Sequence, residues 1–98
     1  MPDRYSLRLS SLAETDLADI YEYGFRQWGE TQADAYYDAL LTHFELLCSN
    51  PFLFAAVDDI RPGYRRSVCG SHAIYYRIGQ YTVEVMAVIG RQDPGGRL

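Results

Sequence analysis

Apolar and polar positions alternate most sharply between Arg61 and Ile89. There, two small turns, Gly70-Ser71 and Gly79-Gln80, separate three runs rich in Tyr, Val and Ile. Glycine supplies the positive φ that a tight hairpin needs, and β-branched and aromatic side chains suit a pleated surface. The pattern predicts a three-strand antiparallel meander over 63–90. In the second run Ile74, Tyr76 and Ile78 alternate with Ala73, Tyr75 and Arg77; in the third Val83, Val85, Ala87 and Ile89 alternate with Thr82, Glu84, Met86 and Val88. Strict alternation gives one uniformly apolar, covered face and one mixed face of Tyr, Arg, Glu and Met that is open.

Upstream, Tyr5, Leu7 and Leu9 alternate with Ser6, Arg8 and Ser10, which predicts a short strand able to extend the meander to four strands. The period then changes. Ser11 and Glu14 read as a capping box, followed by a helical stripe of Ala13, Leu17, Ile20, Tyr21, Gly24 and Trp28. Glu14, Asp16, Asp19, Glu22 and Arg26 fall off that stripe and read as a solvated face. Gly29 breaks the pattern, and Thr31 is placed to cap a second helix with a stripe of Ala33, Tyr36, Tyr37, Leu40, Leu41, Phe44, Leu47 and Cys48. Asn50-Pro51 ends it, because the residue before proline is driven out of the helical region. So short a connection implies an antiparallel helix hairpin over 11–50. His43 lies off the stripe, at the surface. Residues 51–63 form a loop, and 91–98 a polar tail with two glycines. The class is α+β: an N-terminal strand, an antiparallel helix hairpin and the meander, together giving a four-strand sheet.

Composition sharpens this. With 98 residues, 48% of them hydrophobic, the chain fits a single domain with a thin core. All nine basic residues are Arg, six of them beyond residue 60, and the formal charge is −4. A net-acidic domain is a poor general binder of nucleic acid, since phosphate attraction needs clustered positive charge. Cys48 and Cys69 sit in apolar runs and read as free thiols. No leader or membrane-spanning pattern is visible, so a cytoplasmic location is expected.

Catalytic and cofactor signatures are missing. There is no Cys-x-x-Cys, His-Glu-x-x-His, glycine-rich phosphate loop or Gly-x-Ser-x-Gly, and no cofactor or metal is expected. What remains is an Arg and Tyr set: Tyr64, Arg65, Arg66, His72, Tyr75, Tyr76, Arg77 and Arg91. Arg grips phosphate bidentately, and Arg and Tyr also serve as anchors at protein interfaces. Spacing alone leaves RNA and protein partners both open.

The ordered set Asp16-Leu-Ala-Asp-Ile-Tyr-Glu-Tyr23, Trp28-Gly29, Gln32-Ala33, Asn50-Pro51, Gly63-Tyr-Arg-Arg66, Gly70-Ser-His72, Tyr75-Tyr-Arg77 and Arg91-Gln92 to Arg97-Leu98 resembles the RelE/ParE toxin superfamily, within it the ParE branch. The resemblance spans nearly the whole chain. It implies the toxin of a type II toxin–antitoxin system, neutralised in a hetero-oligomer by a ParD-like antitoxin and poisoning DNA gyrase by binding, with no membrane role and no direct nucleic-acid binding. On this reading Tyr21, Trp28, Tyr36 and Tyr37 form the antitoxin groove. Arg65, Arg66, His72, Tyr75, Arg77, Arg91 and Arg97 meet the antitoxin or gyrase. The RelE branch instead cuts mRNA on the ribosome with basic residues and a tail Tyr. Here Ser67 and Ala73 stand at two of those basic positions and the tail has no Tyr, so no catalytic residue is expected. A RelE-like endoribonuclease, or a relative that binds an antitoxin without being toxic, are the competing readings.

Overall fold

The computed structural model describes residues 3–90. The predicted order is present: β1 Ser6–Leu9, α1 Ser11–Trp28, α2 Glu30–Ser49, β2 Tyr64–Cys69, β3 His72–Gly79 and β4 Thr82–Gly90. The meander is antiparallel, and β1 joins it along β4 in parallel register, so the sheet runs β1-β4-β3-β2. The helix hairpin covers one face. Leu17 of α1, Leu40, Phe44, Leu47 and Cys48 of α2, and Ile74, Tyr76, Val83, Val85 and Val88 of the sheet form the main core. Tyr76 is fully buried, and its hydroxyl donates to the Pro51 carbonyl at 2.8 Å, fixing the end of α2 to the sheet.

Both helix starts differ from the sequence expectation. The N-cap of α1 is Ser10, not Ser11: its Oγ accepts the Ala13 N–H at 3.0 Å. The same hydroxyl donates to the Met86 carbonyl at 2.8 Å, and the Ser10 N–H donates to Val85 O. Docking against β4 therefore selects which of two adjacent serines caps. Helix α2 has no side-chain cap at Thr31. Gly29, at φ 90°, closes α1 and opens α2 at once, leaving no room for a separate capping residue. Gly24 is buried against Ala33 across the hairpin; a Cβ on Gly24 would lie 3.6 Å from that of Ala33, an ordinary contact distance.

Strict alternation also fails on β4. Tyr75 pairs with Ala87 but Tyr76 with Val85, so Met86 is an extra residue, a β-bulge. Before it Val83 and Val85 face the helices. After it Val88 does, while Ala87 and Ile89 turn to the other face. That other face is not open throughout. Tyr64, Ala73, Tyr75, Ala87 and Ile89 form a second buried cluster with Val57 and Met86 packed against it.

Asp16, assigned by its pattern to a solvated face, is 3% exposed, and its Oδ2 accepts the Val88 N–H at 2.9 Å. The bulge turns that amide toward α1, and a short acceptor nearly two helical turns past the cap meets it. Loss of the acceptor leaves a buried N–H unsatisfied, at a cost of about 1–3 kcal/mol. Asp16→Ala is expected to lower the unfolding free energy by that amount, and Glu14→Ala, at an exposed site, by less than about 0.5 kcal/mol; urea titrations of the two variants check this.

Candidate partner-binding groove

The apolar stripes of the two helices are not buried along their whole length. Burial is complete at Leu17 and Leu40, partial at Ile20, Tyr21, Tyr36 and Tyr37, and lost at Trp28, which is 64% exposed. The hairpin tip carries its stripe beyond the sheet, and the uncovered part forms a concavity of about 360 Å³. Its walls are Asp19, Ile20, Tyr21, Tyr23, Gly24 and Trp28 of α1, Gln32, Ala33, Tyr36 and Tyr37 of α2, Ser71 of the β2–β3 turn and His72 at the start of β3. The four predicted groove residues, Tyr21, Trp28, Tyr36 and Tyr37, thus share one hollow, and His72 joins them. The rings are held edge to face: Tyr21 against Tyr37 at 5.8 Å and Tyr23 against Trp28 at 5.7 Å between centroids.

The floor is tied down by one phenol. Tyr36 Oη lies 2.6 Å from His72 Nδ1 and 3.3 Å from the Cys69 carbonyl, and accepts the Ser71 N–H at 3.2 Å. The close approach depends on Gly70, at φ 59°, where a Cβ would sit 2.7 Å from Tyr36 Cε1. On the α1 side, Tyr21 Oη donates to Asp34 Oδ1 at 2.6 Å. That bond, with the negative charge of Asp34 and Glu30, pushes the Tyr21 phenol up to about 12, so it remains a neutral donor.

Among the described residues, the predicted arginines Arg65, Arg66 and Arg77 each have a separate local environment. Arg65 donates from Nη1 to the Phe54 carbonyl at 2.6 Å and lies 5.3 Å over the Phe52 ring, clamping the loop to β2. Arg77 pairs with Glu84 at 2.8 Å across β3 and β4, with Arg8 on the far side of Glu84 in the sheet register. Arg66 is half-buried, with its Nε enclosed and lacking a hydrogen-bond partner. Tyr75, expected at the surface, is 0% exposed, its hydroxyl likewise without a partner, because the face it points to is covered. Arg91 and Arg97 lie outside the described residues.

Sequence reasoning missed two features. His43 is half-buried rather than a surface residue: its Nε2 is 2.6 Å from Oγ of buried Ser67 and its ring packs on Phe54. Tyr23 and Asp19 of the groove were also missed, although their spacing of four residues along α1 placed them on a common face. Among the described residues no group of His, Cys, Asp and Glu is arranged to hold a metal ion, and no helix is long and apolar enough to cross a membrane. Cys48 and Cys69 are free thiols.

The sequence model for the ParE toxin of the type II toxin–antitoxin system, parDE, matches residues 7–94. The chain belongs to the ParE toxin family. Toxin ParE1 of Mycobacterium tuberculosis is 37% identical over 90 residues, covering 91% of this chain and 90% of that protein. Toxin ParE1 of Caulobacter vibrioides is 38% identical over 82 residues, 84% of each. In fold, the chain is similar to a chain of the chromosomal ParDE system from P. aeruginosa, with TM-score 0.79 at 16% identity, over 91% of this chain and 98% of that one. It is also similar to a chain of the RelBE2 toxin–antitoxin complex of Mycobacterium tuberculosis, with TM-score 0.65 at 20% identity, over 92% and 94%. The α+β architecture is that of this superfamily.

Gly70→Ala puts a side chain into the Tyr36 ring at a left-handed position, and is expected to cost about 2 kcal/mol of stability; thermal unfolding with near-ultraviolet circular dichroism of the tyrosines checks it. Burial holds both His43 and His72 below their ordinary value of 6.5, with Asp16 opposing the shift at His72. A depressed histidine pKa means that the unfolded chain binds the extra proton more readily. The stability is therefore present above pH 6.5 and declines as pH falls below it. Urea midpoints measured at pH 7.5 and 5.5 are expected to drop on acidification, and to drop less in a His43→Gln/His72→Gln variant.

Proposed function

We propose that this ParE toxin acts by binding, inhibits DNA gyrase and is neutralised by a ParD-like antitoxin that occupies the aromatic groove. The observation that carries the antitoxin part is the groove itself. Trp28, Tyr23 and Phe25 stay 64%, 59% and 49% exposed at the hairpin tip, beside a concavity already lined with rings. Contiguous exposed apolar surface of this kind marks a protein interaction site. An amphipathic antitoxin segment laid into it would bury the rings and cover Tyr21, Trp28, Tyr36 and Tyr37. The solved ParDE and RelBE2 neighbours are toxin–antitoxin assemblies, which supports such a partner.

A binding mode of action, rather than turnover, is supported by what the polar side chains are doing. Arg65 holds a loop carbonyl, Arg77 a glutamate, and His72 and His43 are tied to Tyr36 and Ser67 on different parts of the sheet. Phosphodiester cleavage requires a base, an acid and a cation converging on one phosphate. Gyrase as the target rests on family kinship, and the chemistry is that of a protein surface held by Arg77, Arg66, Arg91 and Arg97. A cytoplasmic location follows from such a target.

The test is a supercoiling assay with purified chain alone and with the product of the neighbouring reading frame. Supercoiling is expected to stop with the chain alone and to recover with the antitoxin. Uninhibited gyrase at excess chain contradicts the proposal. Codon-position cuts in primer extension on translated mRNA point instead to the endoribonuclease reading, and expression without growth arrest to a non-toxic relative. Trp28→Ala is expected to weaken antitoxin capture at least tenfold while preserving the fold, as read by titration calorimetry and circular dichroism.

A further inference from the structure

The groove is aromatic and also electrically one-sided. Asp19 is the only carboxylate on its wall, and no Arg lies there among the described residues. Around it, residues 11–49 carry eight Asp and Glu against a single Arg, and that Arg26 is taken up by Glu22 at 2.6 Å. Asp34 sits at the rim on the Tyr21 hydroxyl. The fields are felt inside: Asp34 and Glu30 raise the Tyr21 phenol, and Asp16 acts on His72 from below. Ring faces present negative charge to anything between them, so aromatic walls and carboxylates act in the same sense. A purely aliphatic occupant would leave that potential unanswered, and an acidic one would be repelled.

We propose that the segment seated in this groove carries an arginine or lysine between its apolar anchors, and that its cation lies among the Tyr23, Trp28 and Tyr37 rings beside Asp19. This rests on the groove being the antitoxin seat, and it specifies the chemistry of the partner there. The antitoxin then uses charges of both signs: cations at the helix hairpin, and carboxylates wherever it meets the arginines of the sheet. It also gives the partner a register, since a cation fits the hollow only where rings and carboxylate coincide.

The chain has one tryptophan, Trp28, and it stands in the groove, so its fluorescence reports occupancy directly. The probes are hexylguanidinium, hexanol and hexanoate, which share a six-carbon stem and differ in charge. Hexylguanidinium is expected to bind at least tenfold more tightly than hexanol, with hexanoate weakest. That preference is expected to shrink in 0.5 M salt, in Asp19→Asn, and in Tyr23→Leu, which keeps apolar bulk but removes a ring. Both substitutions are at exposed positions, so the fold is expected to survive them. Equal binding of hexanol and hexylguanidinium, a preference untouched by Asp19→Asn, or no response to any probe overturns the proposal. Copurification of the neighbouring antitoxin with wild type and Asp19→Asn separates the two claims. Undiminished capture by Asp19→Asn defeats the cation alone, whereas no capture by wild type defeats the antitoxin seat.

Discussion

The arrangement depends on how one irregularity in β4 is held. The extra residue Met86 takes backbone groups out of the ladder, and buried backbone groups need partners. Ser10 and Asp16 supply them from the first half of α1: Ser10 Oγ donates to Met86 O, and Asp16 Oδ2 accepts Val88 N–H. The same contacts cap α1 and set its height above the sheet. They also decide which side chains of β4 face the helices. Without the bulge, Ala87 and Ile89 would enter the main core, and Val88 would leave it.

That height sets the groove. With α1 pinned near its start, its last turn and the start of α2 are left partly uncovered, with Trp28 64% exposed. The β2–β3 turn closes the lower end, drawn in by Tyr36 and admitted by the missing side chain at Gly70. A thin core in a short chain cannot cover every apolar position, and what it leaves bare is concentrated in one hollow instead of scattered.

The arginine face illustrates the opposite outcome. As a string of residues, Arg65, Arg66 and Arg77 look like a single basic grip. In the fold each is drawn to the nearest acceptor or enclosed by its own neighbours. Arg65 spans to a loop carbonyl because residues 54–57 run along the edge of β2, and Arg77 meets Glu84 because they are directly opposed. Exposed pairs such as Arg77–Glu84 contribute little to stability, so this arginine is readily exchanged onto another carboxylate.

Element order, strand runs, the helix hairpin and its aromatic stripe were legible because each depends on local periodicity or on turn chemistry at Gly70, Gly79 and Asn50-Pro51. The family resemblance was legible for the same reason, as an ordered set of such positions. Tertiary structure alone decided the rest. Ser10 rather than Ser11 became the cap, Asp16 was buried, Tyr75 was enclosed, and His43 was turned onto Ser67. Each of these is settled by a partner more than twenty residues away or on another element. A hydrophobic period reports which face of an element is apolar. It does not report where a bulge will reverse that face, or which polar atom on the next layer lacks a partner.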